Sequence, residues 1–156
     1  MARTQGGRDL RDMALSLHDA LTDLVRSYQA RDREAICCYD VSLVQSQAIE
    51  RLARRGPMAM QAFATSLFLE KSSASRLVDG LVNKGYLVRR SDENDGRIVR
   101  LELTKSGRAL ARRLEDDMAE ARAEMLEGLS RDERETVVDA LRTLSESAAL
   151  GWSRGE

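Results

Sequence analysis

Residues 71–90 read KSSASRLVDGLVNKGYLVRR, and the change of period inside this stretch decides the fold. Ala74, Leu77, Val78 and Leu81 share one face of a helix running from Lys71 to Lys84, with Ser72, Arg76, Asp79 and Asn83 opposite and Ser73 and Ser75 on the flanks. Gly85 stands where a left-handed cap would stop that helix, and beyond it the pattern alternates. Tyr86–Arg90 and Arg97–Leu103 read as strands, the second setting Val99, Leu101 and Leu103 against Arg100 and Glu102. The link, Ser91-Asp92-Glu93-Asn94-Asp95-Gly96, is a polar turn. Two strands this short are not stable alone, so the hairpin must pack on the helices before it, as the wing of a winged helix does.

Working outward, a short helix from about Met60 to Leu67 reaches Lys71 through Phe68, Leu69 and Glu70, which is helix-turn-helix spacing. Before it, Ser42 and Gln45 form a capping box that opens a helix with Val44, Ala48, Ile49 and Leu52 inward, ended by Gly56-Pro57. Upstream, Leu10, Met13, Leu17, Leu21, Leu24 and Tyr28 recur at steps of three and four, a helical stripe about twenty residues long. Downstream, Thr104 caps a long helix striped with Leu110, Leu114, Met118, Ala121, Met125 and Leu129. Gly128 and a second capping box, Ser130 to Glu133, separate it from a last helix bearing Val137, Leu141, Leu144 and Ala148.

Composition sets limits on function. With 42% hydrophobic and 33% charged residues the chain is expected to be a soluble folded protein, and no apolar run approaches the roughly 18 residues of a membrane span. Met1–Asp9 lacks the apolar core of a signal peptide, so residues 1–9 are expected to be a short disordered arm and the protein cytoplasmic. The net charge of -1 conceals a segregation: residues 71–113 hold eleven basic and five acidic side chains, net +6, whereas residues 114–156 hold five and twelve, net -7. A basic middle places a cationic field where phosphates could be met. Catalytic motifs are missing: there is no glycine-rich phosphate loop, no Gly-x-Ser-x-Gly elbow and a single histidine, His18, so an enzyme is not expected. Adjacent Cys37 and Cys38 make no disulfide framework, and with one histidine no structural zinc site, metal or cofactor is expected.

Taken together, Lys71 to Leu81, Lys84-Gly85-Tyr86-Leu87-Val88-Arg89-Arg90, Asn94-Asp95-Gly96-Arg97 and Leu103-Thr104-Lys105-Ser106-Gly107 resemble, in order and spacing, the MarR family, the multiple-antibiotic-resistance-type regulators of bacteria and archaea. The match is centred on Gly56–Leu110, and the flanking helices agree in length and position. The resemblance implies a mainly α fold with a small β-hairpin wing. A winged helix-turn-helix lobe would span about 42–104 within a single domain, 10–156, with dimerisation helices at about 10–34 and 105–150. It implies a homodimer that presents two lobes to one double-stranded DNA, most often as a repressor relieved by a ligand or by thiol modification. Apolar stripes on terminal helices give the dimer an independent reason, and two-fold symmetry predicts a pseudo-palindromic operator. Ala59 and Glu70 depart from the family, which usually has a capping Ser or Thr at the first position and a small polar residue at the second; Gly96 replaces a frequent Arg. The competing class is a protein-interaction module that kept the scaffold without DNA binding.

The residues then take roles. Arg97 at the wing tip suits a narrow minor groove, with Asp95 holding it by a charge-assisted hydrogen bond; an ordinary hairpin ion pair is the bland alternative. Arg76 with Ser72, Ser73 and Ser75 should face the major groove, although simple solvent exposure competes for the serines. Lys71, Arg89 and Arg90 are candidate phosphate contacts or merely solvated charges. Cys37 and Cys38 are a candidate sensor of oxidants or of a soft metal or metalloid, against the reading that they are small buried apolar residues. Peroxide-sensing family members usually carry the reactive cysteine early in the first helix, where this chain has none. The family's pocket between dimer helices and lobe would have Leu17, Leu21, Tyr39 and Ile49 as candidate walls.

Overall fold

The computed structural model describes residues 2–92, 95 and 98–152, with the side chains of 2–8 and 149–152 outside the description. The elements run α1 (Ala2–Ala35), α2 (Leu43–Arg55), β1 (Met58–Ala59), α3 (Met60–Ser66), α4 (Lys71–Asn83), β2 (Leu87–Ser91), β3 (Val99–Leu103), α5 (Lys105–Glu124) and α6 (Arg131–Trp152). They form two compact units, Met1–Ala121 and Arg122–Glu156. No described helix is long and apolar enough to cross a membrane.

The winged helix-turn-helix order is as the sequence reading has it, except that α5 ends at Glu124, short of the Met125 and Leu129 expected on its stripe, and for three further differences. First, α1 is longer at both ends: it takes in residues 2–9, expected as an arm, and the Arg31–Glu34 charge cluster. Second, β1 was not foreseen. Two residues carry no alternation to read, and their pairing, Met58 with Leu101 and Ala59 with Arg100, depends on a partner some forty positions away. The sheet is therefore three-stranded and antiparallel, in the order β1-β3-β2. Third, the α5 stripe is not free for a partner along its first half. Leu110, Ala111, Leu114 and Met118 are buried in the core of the first unit, so this part of α5 belongs to the lobe.

That core also takes Ile36, Ala48, Ile49, Leu52, Phe63, Val78, Leu81, Leu87, Leu101 and Leu103. Each large side chain buried this fully is worth about 1.5–3 kcal/mol relative to exposure, which is what holds five short elements together. Val44, expected inward, is exposed; Val99, also expected inward, is exposed as well because β3 starts beyond the edge of the lobe and enters the core only at Leu101.

Caps fix the element ends. Ser42 accepts from the Gln45 amide while Gln45 Oε1 accepts from the Ser42 amide at 3.1 Å, completing the box. Thr104 Oγ1 accepts from the Gly107 amide at 3.0 Å and donates to the Gly85 carbonyl at 2.7 Å, stapling the start of α5 to the exit from α4. In the second unit the Ser130 amide and hydroxyl donate to Glu133 Oε2 at 2.8 and 2.7 Å. Those two bonds hold the Glu133 carboxyl below its ordinary pKa.

Candidate nucleic-acid interface

The helix-turn-helix is shaped by two caps of the same kind. After α4, the Gly85 amide donates to the Val82 carbonyl and the Tyr86 amide to the Leu81 carbonyl, with Gly85 at φ 75°. After α3, the Phe68 amide donates to Thr65 and the Leu69 amide to Ala64, with Phe68 at φ 53°. Both are Schellman caps, and Phe68 fills the left-handed position that suits glycine. An L side chain there costs roughly 1–2 kcal/mol. The sequence gives the turn its place but not this strain.

Neither helix of the pair has a side-chain N-cap: Ala59 precedes α3 and Glu70 precedes α4, both in extended backbone without a cap hydrogen bond. The amides of the first turn of α4 are thus left to solvent or to an anion. On α4, Ala74, Val78 and Leu81 are fully buried, while Lys71, Ser72 and Arg76 are exposed and Ser73 and Ser75 half-buried. The core grips one face and the polar face points outward, as the period predicts. Among the described residues, Lys71 and Arg76 have no hydrogen bond or ion pair, so neither has to break a bond to meet a phosphate or a base edge.

Arg89 and Arg90 differ from these. Arg89 Nη2 lies 2.7 Å from Asp79 Oδ1, joining β2 to α4, and Arg90 Nε lies 2.9 Å from Glu102 Oε2 across the hairpin. Arg108 adds a second cation 3.6 Å from Glu102. Exposed pairs of this sort contribute little to stability; of the three, only Arg89–Asp79 links the hairpin to α4. At the wing tip the Asp92 carboxylate takes the Arg100 guanidinium and the Asp95 amide, and the Ile98 amide donates to the Asp95 carbonyl at 2.9 Å. Asp95 is exposed. Arg97 and the expected Asp95–Arg97 bond lie outside the described residues.

Cys37 and Cys38 sit in the turn between α1 and α2, both exposed, with their sulfurs 3.5 Å apart. The reading of them as buried apolar residues is therefore wrong. Of the four candidate pocket walls, Tyr39 and Ile49 meet in the core cluster, Ile49 fully buried and Tyr39 packed against it from the edge, while Leu17 is exposed and Leu21 half-buried on α1 outside that cluster. Two grooves in the lobe, of about 510 and 340 Å³, are lined by other residues. The larger has Arg51, Arg54 and Arg55 of α2 on one side and Leu67 and Phe68 on the other.

A polar network surrounds the α1–α2 turn. Tyr39 donates its phenol proton to Asp117 Oδ2 at 2.5 Å, beneath an Arg113 guanidinium 5.5 Å from its ring centre. Tyr86 donates to Asp40 Oδ1 at 2.7 Å, and Lys84 Nζ donates to the Asp40 carbonyl. The carboxylate acceptors raise both phenol pKa values. The partners stand 78 and 46 positions apart in the chain, so no local signal could have paired them.

An outward-facing polar helix face with two cations unengaged among the described residues, tied to the neighbouring hairpin by Arg89–Asp79, defines a winged helix-turn-helix lobe. Comparison with known proteins narrows the class. A model described as MarR family matches residues 39–98, from the α1–α2 turn through β2, stopping just before β3. The uncharacterized HTH-type transcriptional regulator YkoM of Bacillus subtilis (strain 168) is 31% identical over 94 residues, covering 60% of this chain and 61% of that protein, so the chain spans about three fifths of that relative's length. A MarR family protein from Bacillus stearothermophilus superposes with a TM-score of 0.78 at 22% identity, over 89% of this chain and 97% of the other. Bordetella bronchiseptica BpsR, whose DNA binding is regulated by 6-hydroxynicotinic acid, superposes with a TM-score of 0.67 at 23% identity, over 78% and 89%. Residues 39–98 thus match the MarR family model, and the chain has the fold of MarR family structures.

Proposed function

We propose that this protein is a homodimeric, cytoplasmic transcriptional repressor that binds a pseudo-palindromic operator in double-stranded DNA and is released by a small-molecule effector or by thiol modification. Its role is binding rather than catalysis. The observation that carries the reading is the outward face of α4, where Lys71 and Arg76 are exposed and unengaged opposite a fully buried apolar face. Arg76, Ser72, Ser73 and Ser75 read the major groove, Lys71, Arg89 and Arg90 meet phosphates, and Arg97, oriented by Asp95, enters the minor groove.

Dimerisation is supported by faces that need cover. On α1, Leu10 is 72% and Met13 64% exposed, with Leu17 and Leu24 on the same stripe; on α6, Val137, Val138 and Leu141 are exposed. Helices with an apolar stripe bury it against a partner, and a two-fold partner sets two recognition helices to half-sites one helical turn apart, about 34–36 Å. Release by an effector is supported by family relationship, BpsR being a ligand-regulated example of the fold.

The test is an operator-binding titration across salt, using a site found by genomic footprinting. Affinity should fall log-linearly with salt. Arg76→Ala should weaken specific binding roughly 5- to 150-fold, the equivalent of about 1–3 kcal/mol for a bidentate base contact, and Arg97→Ala should abolish it. Affinity indifferent to salt, or a chain that sediments as a monomer, would refute the proposal.

A further inference from the structure

The turn that joins α1 to the lobe carries two adjacent thiols, both exposed, with sulfurs 3.5 Å apart. Adjacent residues have Cα atoms about 3.8 Å apart across a trans peptide, inside the 4.4 Å or so at which ordinary disulfides begin. Direct oxidation to a bond between them therefore requires the peptide to distort. Bridging both sulfurs through a third atom closes a ring one atom larger and does not. With a metal–sulfur bond of about 2.3 Å, sulfurs 3.5 Å apart subtend roughly 100° at the bridging atom. That angle belongs to a pyramidal centre with a lone pair. A linear two-thiolate ion would need sulfurs about 4.6 Å apart. A tetrahedral ion such as zinc needs four ligands, and among the described residues no group of three or more His, Cys, Asp or Glu side chains is placed to hold a metal. A pyramidal centre needs only the two thiols and brings its own third substituent.

We propose that Cys37 and Cys38 together form a two-thiol site for a trivalent arsenical, and that its occupation is transmitted to the DNA-binding lobe. The second half rests on the DNA-binding function proposed above. Capture is a condensation. Both S–H bonds break, two As–S bonds form, and the protons leave with arsenic-bound oxygen as water: one water from phenylarsine oxide, two from arsenous acid. Arsenic stays trivalent and no oxidant is consumed. The hydrogen bond to Cys38, and then that neighbour's charge, hold the Cys37 thiol above its ordinary pKa. Transmission follows the chain, because the next two residues tie the turn to the reading head. Tyr39 is bonded to Asp117 on α5, and Asp40 to Tyr86 and Lys84 at the junction of α4 with β2. A ring closed across Cys37 and Cys38 restrains the backbone that positions both.

The experiment treats the reduced full-length protein with phenylarsine oxide, and in a parallel arm with arsenite, then challenges it with excess monothiol before native mass spectrometry. One arsenic adduct per chain should survive the monothiol and be removed by a dithiol. Cys37→Ser and Cys38→Ser, at exposed positions where melting temperature verifies the fold, should each bind roughly a hundredfold or more weakly, the loss expected when the second attachment ceases to be intramolecular. Adducts that resist monothiol equally well in either single variant, or no adduct in the wild type, would overturn the site. On operator DNA, the adduct should weaken wild-type binding at least tenfold and leave both variants unchanged; unaltered affinity of the adduct overturns the transmission. Protein that never binds DNA even untreated would instead refute the DNA-binding proposal, while the mass measurement still decides the thiol site.

Discussion

Replacing Gly107 with alanine tests the packing of the wing root with no change of charge. A Cβ at Gly107 would lie 2.1 Å from the Tyr86 carbonyl oxygen, 3.0 Å from its carbon and 3.1 Å from Leu103 Cδ2. A carbon and a carbonyl oxygen approach to about 3.3 Å, so α5 and the entry to β2 must separate by more than 1 Å. Neither can yield through a side chain, because the obstacle is backbone. The same carbonyl accepts from the Thr104 amide at 3.0 Å, and the separation lengthens that bond. Overpacking costs about 1–3 kcal/mol and the weakened hydrogen bond about 0.5–1.5 kcal/mol. Better helix propensity returns roughly 1 kcal/mol. The net is a loss of about 2 kcal/mol, which for a chain of this length lowers the melting temperature by roughly 4–8 °C. Circular dichroism melts at matched protein concentration measure it, with Gly128→Ala as control, since nothing lies within 4 Å of a Cβ there. A Gly107→Ala melting temperature equal to or above that of the wild type would refute the packing argument.

Other substitutions probe the caps and the network. Phe68→Asn keeps the left-handed cap with a residue that tolerates it, at a position 71% exposed, and should raise the melting temperature by about 2–4 °C for roughly 1 kcal/mol of relieved strain; a decrease would mean the phenyl ring stabilises the turn. Ala59→Ser supplies the missing cap of α3, worth about 1 kcal/mol, and should slow hydrogen exchange of the first α3 amides. Because the phenols of Tyr39 and Tyr86 have raised pKa values in the fold, they contribute stability that is present below the unfolded value near pH 10 and lost as pH rises through the folded value. Melts across this alkaline range should fall more steeply for the wild type than for the Tyr39→Phe/Tyr86→Phe variant, and parallel curves would contradict the bonding described.

Periodic features were legible because one helix face or strand edge repeats its burial many times. Ala74, Val78 and Leu81 announce the recognition helix, and the Ser42–Gln45 and Ser130–Glu133 boxes mark helix starts within a four-residue window. What stayed hidden depends on partners distant in the chain. β1 exists only through its pairing with β3, and the Tyr39–Asp117 bond only because α5 returns past the α1–α2 turn. Val99 shows a further limit: alternation identifies a strand's inward face but not where the strand leaves the protein it packs on. The exposure of Cys37 and Cys38 was equally beyond reach, because a turn has no period from which burial can be read.

The hairpin is gripped only at its base. Leu87, Leu101 and Leu103 are buried and Thr104 locks the root, whereas Ser91 and Val99, its outermost pair, are exposed. Its length is consequently a free parameter of the scaffold. Adding two residues to each strand preserves which side chains face inward and extends the arm by about 6.6–6.8 Å, with α4 left where it is. An engineer, or natural drift, can retune how far the arm extends independently of where α4 is held.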